Sequence, residues 1–393
     1  MKDFDLLAIL LKPEFGAMLL HGLLETLKIA AGSWLLAMGM AVVLLVVRLT
    51  PSRIAERVVA GYVSYHRNVP TLVQLMFWYF GIFSLLPDAL QGWLSVNNAE
   101  RWLSIVALGL CQAAYFSEDM RSGLRAIPAG QAEAARALGH GYIGSMRFVM
   151  LPQAIRNAVP ALVNHSVSLF KNSSLAMAIG VAELTHAVKE IESQSFRTFE
   201  AYSVATVLVY VVRGVPLLMV ILWVYFLVPI LIGREVSGFT TMLCTLVIYE
   251  GAYLSEVVRA GILSLPKGQS EAARALGHSH LGTMWFVILP QALYNMLPSM
   301  LSQFISTIKE TTLGYVINVQ ELTFAANQIN NQLLTKPFQV FFILALTYYV
   351  VCFSLTQLAQ WLERRIAHKR LGAVPVKAAE GEVPLPAPVA TKP

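Results

Sequence analysis

The feature that most constrains this chain is a repeat. Gln131-Ala132-Glu133-Ala134-Ala135-Arg136-Ala137-Leu138-Gly139-His140 returns as Gln269-Ser270-Glu271-Ala272-Ala273-Arg274-Ala275-Leu276-Gly277-His278, with one change in ten positions. Met150-Leu151-Pro152-Gln153-Ala154 returns as Ile288-Leu289-Pro290-Gln291-Ala292. Residues 131–160 and 269–298 align without a gap and share 19 of 30 positions, at an offset of 138. The offset holds on both sides of that window. Tyr115, Glu118, Arg121, Gly123 and Pro128 match Tyr253, Glu256, Arg259, Gly261 and Pro266; Lys171, Leu175, Glu183 and Leu184 match Lys309, Leu313, Glu321 and Leu322. The chain is two copies of one unit.

Composition decides what solvates those copies. Hydrophobic residues make up 56% and charged ones 13%, against about 25% charge in a soluble domain. Such a chain is embedded in lipid, and its net charge of +6 is a matter of membrane topology, not of nucleic-acid binding. Apolar runs near 24–47, 69–88, 102–118, 158–180, 238–257, 295–318 and 338–360 each suit a helix of the roughly 20 residues needed to cross a bilayer. Arginines and lysines cluster between them, at 48–67, 121–156, 259–274 and 364–370, which puts those segments in the cytoplasm and makes 184–199 and 320–336 external loops. The run 201–232 contains Arg213-Gly214-Val215-Pro216, parallel to Arg67-Asn68-Val69-Pro70. If it were one helix, the repeated loops would face opposite sides of the membrane. A tight hairpin with Arg213 at its cytoplasmic turn is therefore expected, giving about nine crossings in an all-α polytopic fold. The organisation read from this is 1–212 for the first repeat, 213–370 for a second repeat without a counterpart of the first helix, and 371–393 for a disordered tail. The three cysteines lie inside apolar runs and read as small buried hydrophobes.

The repeated loop reads as a helix, a glycine stop and a second helix. Glu133 to Leu138 is strongly helix-forming, Gly139 and Gly277 suit a left-handed terminator, and Pro152 suits the first turn of the next helix. Alanines 134, 135 and 137 keep one side slim, as a knob entering another protein's groove requires. A mere linker need not be copied so closely.

These residues resemble the coupling-loop signature of bacterial ABC-importer permeases: Glu-Ala-Ala, then Gly, then hydrophobe-Leu-Pro. Ile127-Pro128-x-Gly130-Gln131, Leu265-Pro266-x-Gly268-Gln269, Arg67-Asn68-Val69-Pro70-Thr71-Leu72-Val73-Gln74 and Arg213-Gly214-Val215-Pro216-Leu217-Leu218 are similar to its polar amino-acid branch. The resemblance covers about 20 to 370 and is that of a fusion of the two glutamate/aspartate permease subunits, with roughly eighty residues missing at the seam. It implies two tandem type I permease repeats in the bacterial inner membrane. It also implies Glu133, Ala134, Ala135, Gly139, Glu271, Ala272, Ala273 and Gly277 as contacts to a cytosolic ATPase dimer, a periplasmic amino-acid-binding protein, and a second permease chain as a further partner. The chain carries no Gly-x-x-x-x-Gly-Lys-Ser/Thr loop, so ATP is a partner's substrate and no cofactor is expected here. Gly139-His140-Gly141-Tyr142-Ile143-Gly144 fits a dinucleotide pattern, but no strand precedes it.

Ionisable groups inside spans are functional candidates. Lys171 lies 11 residues beyond Pro160, and Lys309 the same distance beyond Pro298, about the bilayer midplane. Gln112 and Glu250 hold equivalent mid-span positions. The first repeat offers Lys171 with Gln112, Asn172 and Ser174; the second adds the acids Glu250 and Glu310 to Lys309. An anionic side chain is thus expected at the first repeat, with Lys309 internally neutralised. Two other readings stay open: a secondary transporter with internal repeats, and a transport-inactive fused permease. No constellation of residues suggests an enzyme or a metal site.

Overall fold

The computed structural model describes Ile9 and residues 12–50, 52–141, 144–210 and 216–370. All its regular elements are helices: α1 Pro13–Leu49, α2 Arg53–Asn68, α3 Thr71–Met76, α4 Asp88–Val96, α5 Ala99–Arg125, α6 Ala129–Ala137, α7 Leu151–Asn172, α8 Leu184–Ser195, α9 Thr198–Tyr210, α10 Leu217–Ile232, α11 Gly238–Leu263, α12 Lys267–Ala275, α13 His280–Thr283, α14 Leu289–Glu310, α15 Leu322–Leu333 and α16 Pro337–Arg370. They fall into two units. One runs to Met219 and takes in Ile329–Ala345; the other is Val220–Gln328 with the chain from Leu346. The turn expected at Arg213 and the tail from Leu371 lie outside the described residues.

In the first unit α1 lies along α5, and glycines set how closely. A Cβ at Gly109 would stand 2.8 Å from Leu36, and one at Gly32 3.0 Å from Ile105. Without water between helices, such small residues are what let the backbones approach and gain packing energy. Both ends of the pair are closed by charge. Glu25 takes Arg101 at 2.6 Å and Lys28 at 2.8 Å, and Arg48 pairs with Glu118 at the other end. Between them Ala37, Ala41 and Leu44 pack on Ala113, Ala114 and Phe116, with Val59 and Val63 of α2 closing the cluster.

The expected span 69–88 begins at a sharp bend and is helical from Thr71 to Leu85. The chain bends by 106° between α2 and the winding Thr71–Leu85. Pro70 bars the α conformation at Val69 and leaves carbonyls without helical donors. Gln74 supplies them: its amide donates to His66 O (3.0 Å) and Val69 O (2.8 Å), and its carbonyl lies 2.6 Å from His66 Nδ1.

The segments expected as external loops are largely helical. Residues 184–199 contain α8, and 320–336 contain α15. Each begins at an acid matched between the repeats. Glu183 Oε1 accepts from His186 N (2.9 Å); Glu321 accepts from Thr323 N and Phe324 N (2.8 Å each). These carboxylates satisfy backbone donors that a first helical turn leaves open. Glu183 is also fully enclosed, 3.4 Å from the Thr26 hydroxyl. Burial pushes its carboxyl from 4.5 up to about 7, against the hydrogen bonds that lower it. An acid whose pKa rises on folding stabilises the fold at low pH and loses that contribution as pH climbs through the folded value. The melting temperature of the detergent-solubilised chain is therefore expected to fall between pH 4.5 and pH above 7, and Glu183→Gln to flatten that slope. A Glu183→Gln melting profile parallel to the parent's would refute it.

Among the described residues, α1, α11 and α16 can each cross a bilayer by length and composition, and the bent pair makes a fourth. This stops short of the nine crossings expected. Helices α5 and α7 are long enough at 27 and 22 residues, but Arg101, Glu118, Asp119 and Arg121 on one, and Arg156, His165 and Lys171 on the other, lower their mean hydropathy. Cys111 and Cys352 are buried as expected; Cys244 is exposed.

Candidate functional site

The two repeated loops fold alike. Each opens at a proline, Pro128 or Pro266, and runs as a nine-residue helix, α6 or α12. Each ends at its glycine, Gly139 with φ +85° and Gly277 with φ +89°. Gly139 N donates to Arg136 O (2.9 Å) and His140 N to Ala135 O (3.1 Å); Gly277 N donates to Arg274 O (3.0 Å) and His278 N to Ala273 O (3.2 Å). This paired reverse bonding satisfies the last carbonyls and needs a residue at ease with positive φ. The chain then re-enters helix through π-wound turns, Ser145–Met150 and Met284–Ile288, and continues as α7 and α14, with Pro152 and Pro290 in their first turns.

Two side-chain contacts recur at the same offset, and a third keeps its asparagine but changes its partner. Gln153 donates to Gln131 at 3.2 Å and Gln291 to Gln269 at 3.4 Å. Asn157 donates to Gly123 O (3.3 Å) and Asn295 to Ser264 Oγ (2.9 Å). The His140 ring stands 6.1 Å from Phe148, and His278 6.4 Å from Phe286. Beneath the first loop Ile127, Met150 and Ala154 form a small core with Ala132 and Met146. Ala135 and Ala273 are buried, whereas Glu133, Ala134, Glu271 and Ala272 are exposed. Leu138 and Leu276 are 81% and 82% exposed. Each loop thus presents one apolar side chain to solvent from a helix held at both ends.

The mid-span candidates fall at a change of winding. Lys171 and Asn172 end α7, Lys309 and Glu310 end α14, and both helices tighten into 3₁₀ winding, Ser173–Ile179 and Thr311–Ile317. Ser174 Oγ donates to Lys171 O (2.7 Å) and Thr312 Oγ1 to Lys309 O (2.8 Å). These hydroxyls are buried; Lys171, Asn172, Lys309 and Glu310 are half-buried. Gln112 is buried on α5 and donates to His165 O on α7 (3.1 Å). At the equivalent position Glu250 accepts from Gln303 (2.7 Å) and faces Glu310. The structure thus joins Gln112 to α7, and Glu250 to both Gln303 and Glu310.

One pair escaped the sequence reading. His165 Nδ1 lies 2.6 Å from Asp119 Oδ2, with the Tyr115 ring 5.2 Å from the imidazole. The signal was present, an ionisable His inside the run 158–180. The second repeat has Gln303 and Val257 at these positions, so the pair belongs to the first repeat alone.

Two matches to one family model, over residues 34–212 and 195–368, carry the description "Binding-protein-dependent transport system inner membrane component". Together they take in most of the chain. The chain belongs to this family, as a membrane component with two repeats in one polypeptide. Among its relatives, the probable glutamine ABC transporter permease protein GlnP of Bacillus subtilis is 42% identical over 161 residues, 40% of this chain and 73% of that protein. The glutamate/aspartate import permease protein GltJ of Escherichia coli is 30% identical over 189 residues, 47% of this chain and 77% of that protein. A crystal structure of an amino acid ABC transporter with histidines is 29% identical, with a TM-score of 0.46 over 53% of this chain and 92% of that one.

Proposed function

We propose that this chain is the permease of an ATP-driven importer of polar amino acids, with glutamate and aspartate as its substrates. A cytosolic ATPase dimer engages α6 and α12 through Glu133, Ala134, Leu138 and their counterparts Glu271, Ala272 and Leu276. A periplasmic binding protein delivers the amino acid. The observation that carries this reading is the pair of identically locked loops, each held to the helices on both sides. Motion of an ATPase surface against such a loop is passed to α7 or α14 without loss in a flexible linker. Co-purification with an ATPase subunit, followed by ATP turnover stimulated by amino acid and binding protein, tests it. Transport without an ATPase would mean a secondary transporter instead; ATPase binding without stimulated turnover would mean an inactive fusion.

Acidic substrates are supported by the difference between the repeats. Lys171 shares its repeat with Gln112, Asn172 and Ser174, all neutral, and Asp119 is bonded to His165. Lys309 shares its repeat with Glu250 and Glu310. Lys171→Met is therefore expected to lower aspartate and glutamate uptake by more than tenfold, about the 1.5–3 kcal/mol of a charged hydrogen bond, while Lys309→Met leaves it within about threefold. Equal losses in the two variants would remove the argument.

A further inference from the structure

Three residues of α5 converge on one residue of α7. Gln112, Tyr115 and Asp119, three and then four positions apart, share a face of α5. Gln112 donates to His165 O (3.1 Å), the Tyr115 ring stands 5.2 Å from the imidazole, and Asp119 Oδ2 lies 2.6 Å from its Nδ1. A carboxylate only accepts, so Nδ1 carries the proton and Nε2 keeps a lone pair. The Asp119 side chain is 11% exposed and that of His165 36%. Among the described residues Nε2 meets no bonding partner. The Arg67 guanidinium lies over the same Tyr115 ring, 5.9 Å from its centroid. Tyr62 donates to Leu110 O (2.6 Å) and Cys111 to His66 O (3.9 Å). Arg67 is thereby held near the middle of the 27-residue α5, not at the cytoplasmic edge expected from the charge clusters. The helix junction does not need the pair. In the second repeat Val257 and Gln303 hold these positions, and Gln303 bonds Glu250 instead (2.7 Å).

We propose that this cluster binds the zwitterionic head of an α-amino acid, with the ammonium on His165 Nε2 and the α-carboxylate on Arg67. Ionisable side chains are costly to hold inside a span and mark a path for polar cargo. Here the two ends have opposite character. Asp119 polarises the imidazole and strengthens Nε2 as an acceptor, while the guanidinium offers a planar fork matched to a carboxylate. Both ends lie against one tyrosine ring, so their separation cannot exceed the two ring distances taken together. An ammonium and a carboxylate on one carbon, with a hydrogen bond of about 2.9 Å at either end, bridge a gap of that size. Lys171 stands about 9 Å further along the axis of α7 and keeps its role toward a side-chain carboxylate. The inference rests on the amino-acid reading above and adds to it the part of the substrate that every amino acid shares.

The test is equilibrium binding to the solubilised full chain, without binding protein, of aspartate, of succinate (aspartate without its ammonium) and of β-alanine (aspartate without its α-carboxylate). The parent is expected to prefer aspartate to each analogue by at least tenfold. Asp119→Val combined with His165→Gln gives the first repeat the residues with which the second already closes the same junction. That variant is expected to bring the aspartate-to-succinate ratio close to one and to leave the β-alanine ratio unchanged. Arg67→Gln is expected to do the reverse. Ratios within one variant do not depend on how much of the sample is folded, so a merely structural role would not move them. A parental succinate ratio in the double variant, or a parental β-alanine ratio in Arg67→Gln, would overturn the inference and leave the importer reading standing. A parent chain that binds no aspartate would overturn the acidic-substrate reading together with it.

Discussion

Replacing Leu138 and Leu276 together by aspartate is expected to abolish association with the ATPase while leaving the permease folded. Both side chains are more than four-fifths exposed, so neither contributes to the core, and the glycine-terminated bonding behind them runs through the backbone. An apolar residue filling a partner's pocket typically carries about 2 kcal/mol or more of an interface, roughly a thirtyfold loss of affinity for each truncation. A charge buried in the same pocket costs more. Co-purification with the ATPase checks the first half and the melting temperature of the solubilised chain the second. Retained binding in the double variant would separate the loops from the ATPase and remove the proposed coupling.

The second large effect concerns the helix crossing behind the loop. A Cβ at Gly123 would stand 2.5 Å from Ala154 O, 2.8 Å from Ala158 Cβ and 3.0 Å from Ala158 N. Two of these three atoms are backbone, so only a shift of α5 against α7 relieves the clash. At the equivalent Gly261 the nearest atom is Met296 Cβ at 3.1 Å, with Ala292 O at 3.4 Å. Gly123→Val is therefore expected to cost about 3 kcal/mol or more, the upper range for overpacking. Gly261→Val should remain below about 1.5 kcal/mol. Fluorescence-detected gel filtration after a heating series reads both. The opposite order of the two would contradict the packing described.

The repeat made these features legible in advance. Because 131–160 and 269–298 match so closely, a glycine stop at 139 and 277 could be placed from sequence, and both are observed; the helices expected to start at Pro152 and Pro290 begin upstream, in the π-wound turns that run into them without a break. Glu183 and Glu321 stood out as matched positions, although their role as helix caps did not. The loops expected around them contain helices of 12 residues each. The polar residues of α8, among them Thr185, His186, Lys189 and Glu190, masked an apolar stripe of Leu184, Val188 and Ile191 that is narrow and short. The bend at Pro70 falls where the expected span 69–88 starts, and its angle was not legible because hydropathy measures length in residues and not direction. His165 and Asp119 were missed for a different reason. They lie 46 positions apart and occur in one repeat only, so although His165 stood inside an apolar run, neither spacing nor duplication pointed to its partner.

The tightened segments after Lys171 and Lys309 have a consequence for reach. Wound three residues to the turn, a chain advances about 2.0 Å per residue, against 1.5 Å in the ordinary α form. Ser173–Ile179 and Thr311–Ile317 are seven residues each, so each stands about 3.5 Å longer than the same stretch relaxed to α. Either segment is thus a small telescoping joint, and its collapse would draw the outer helix that follows it toward the middle of the bilayer by that distance.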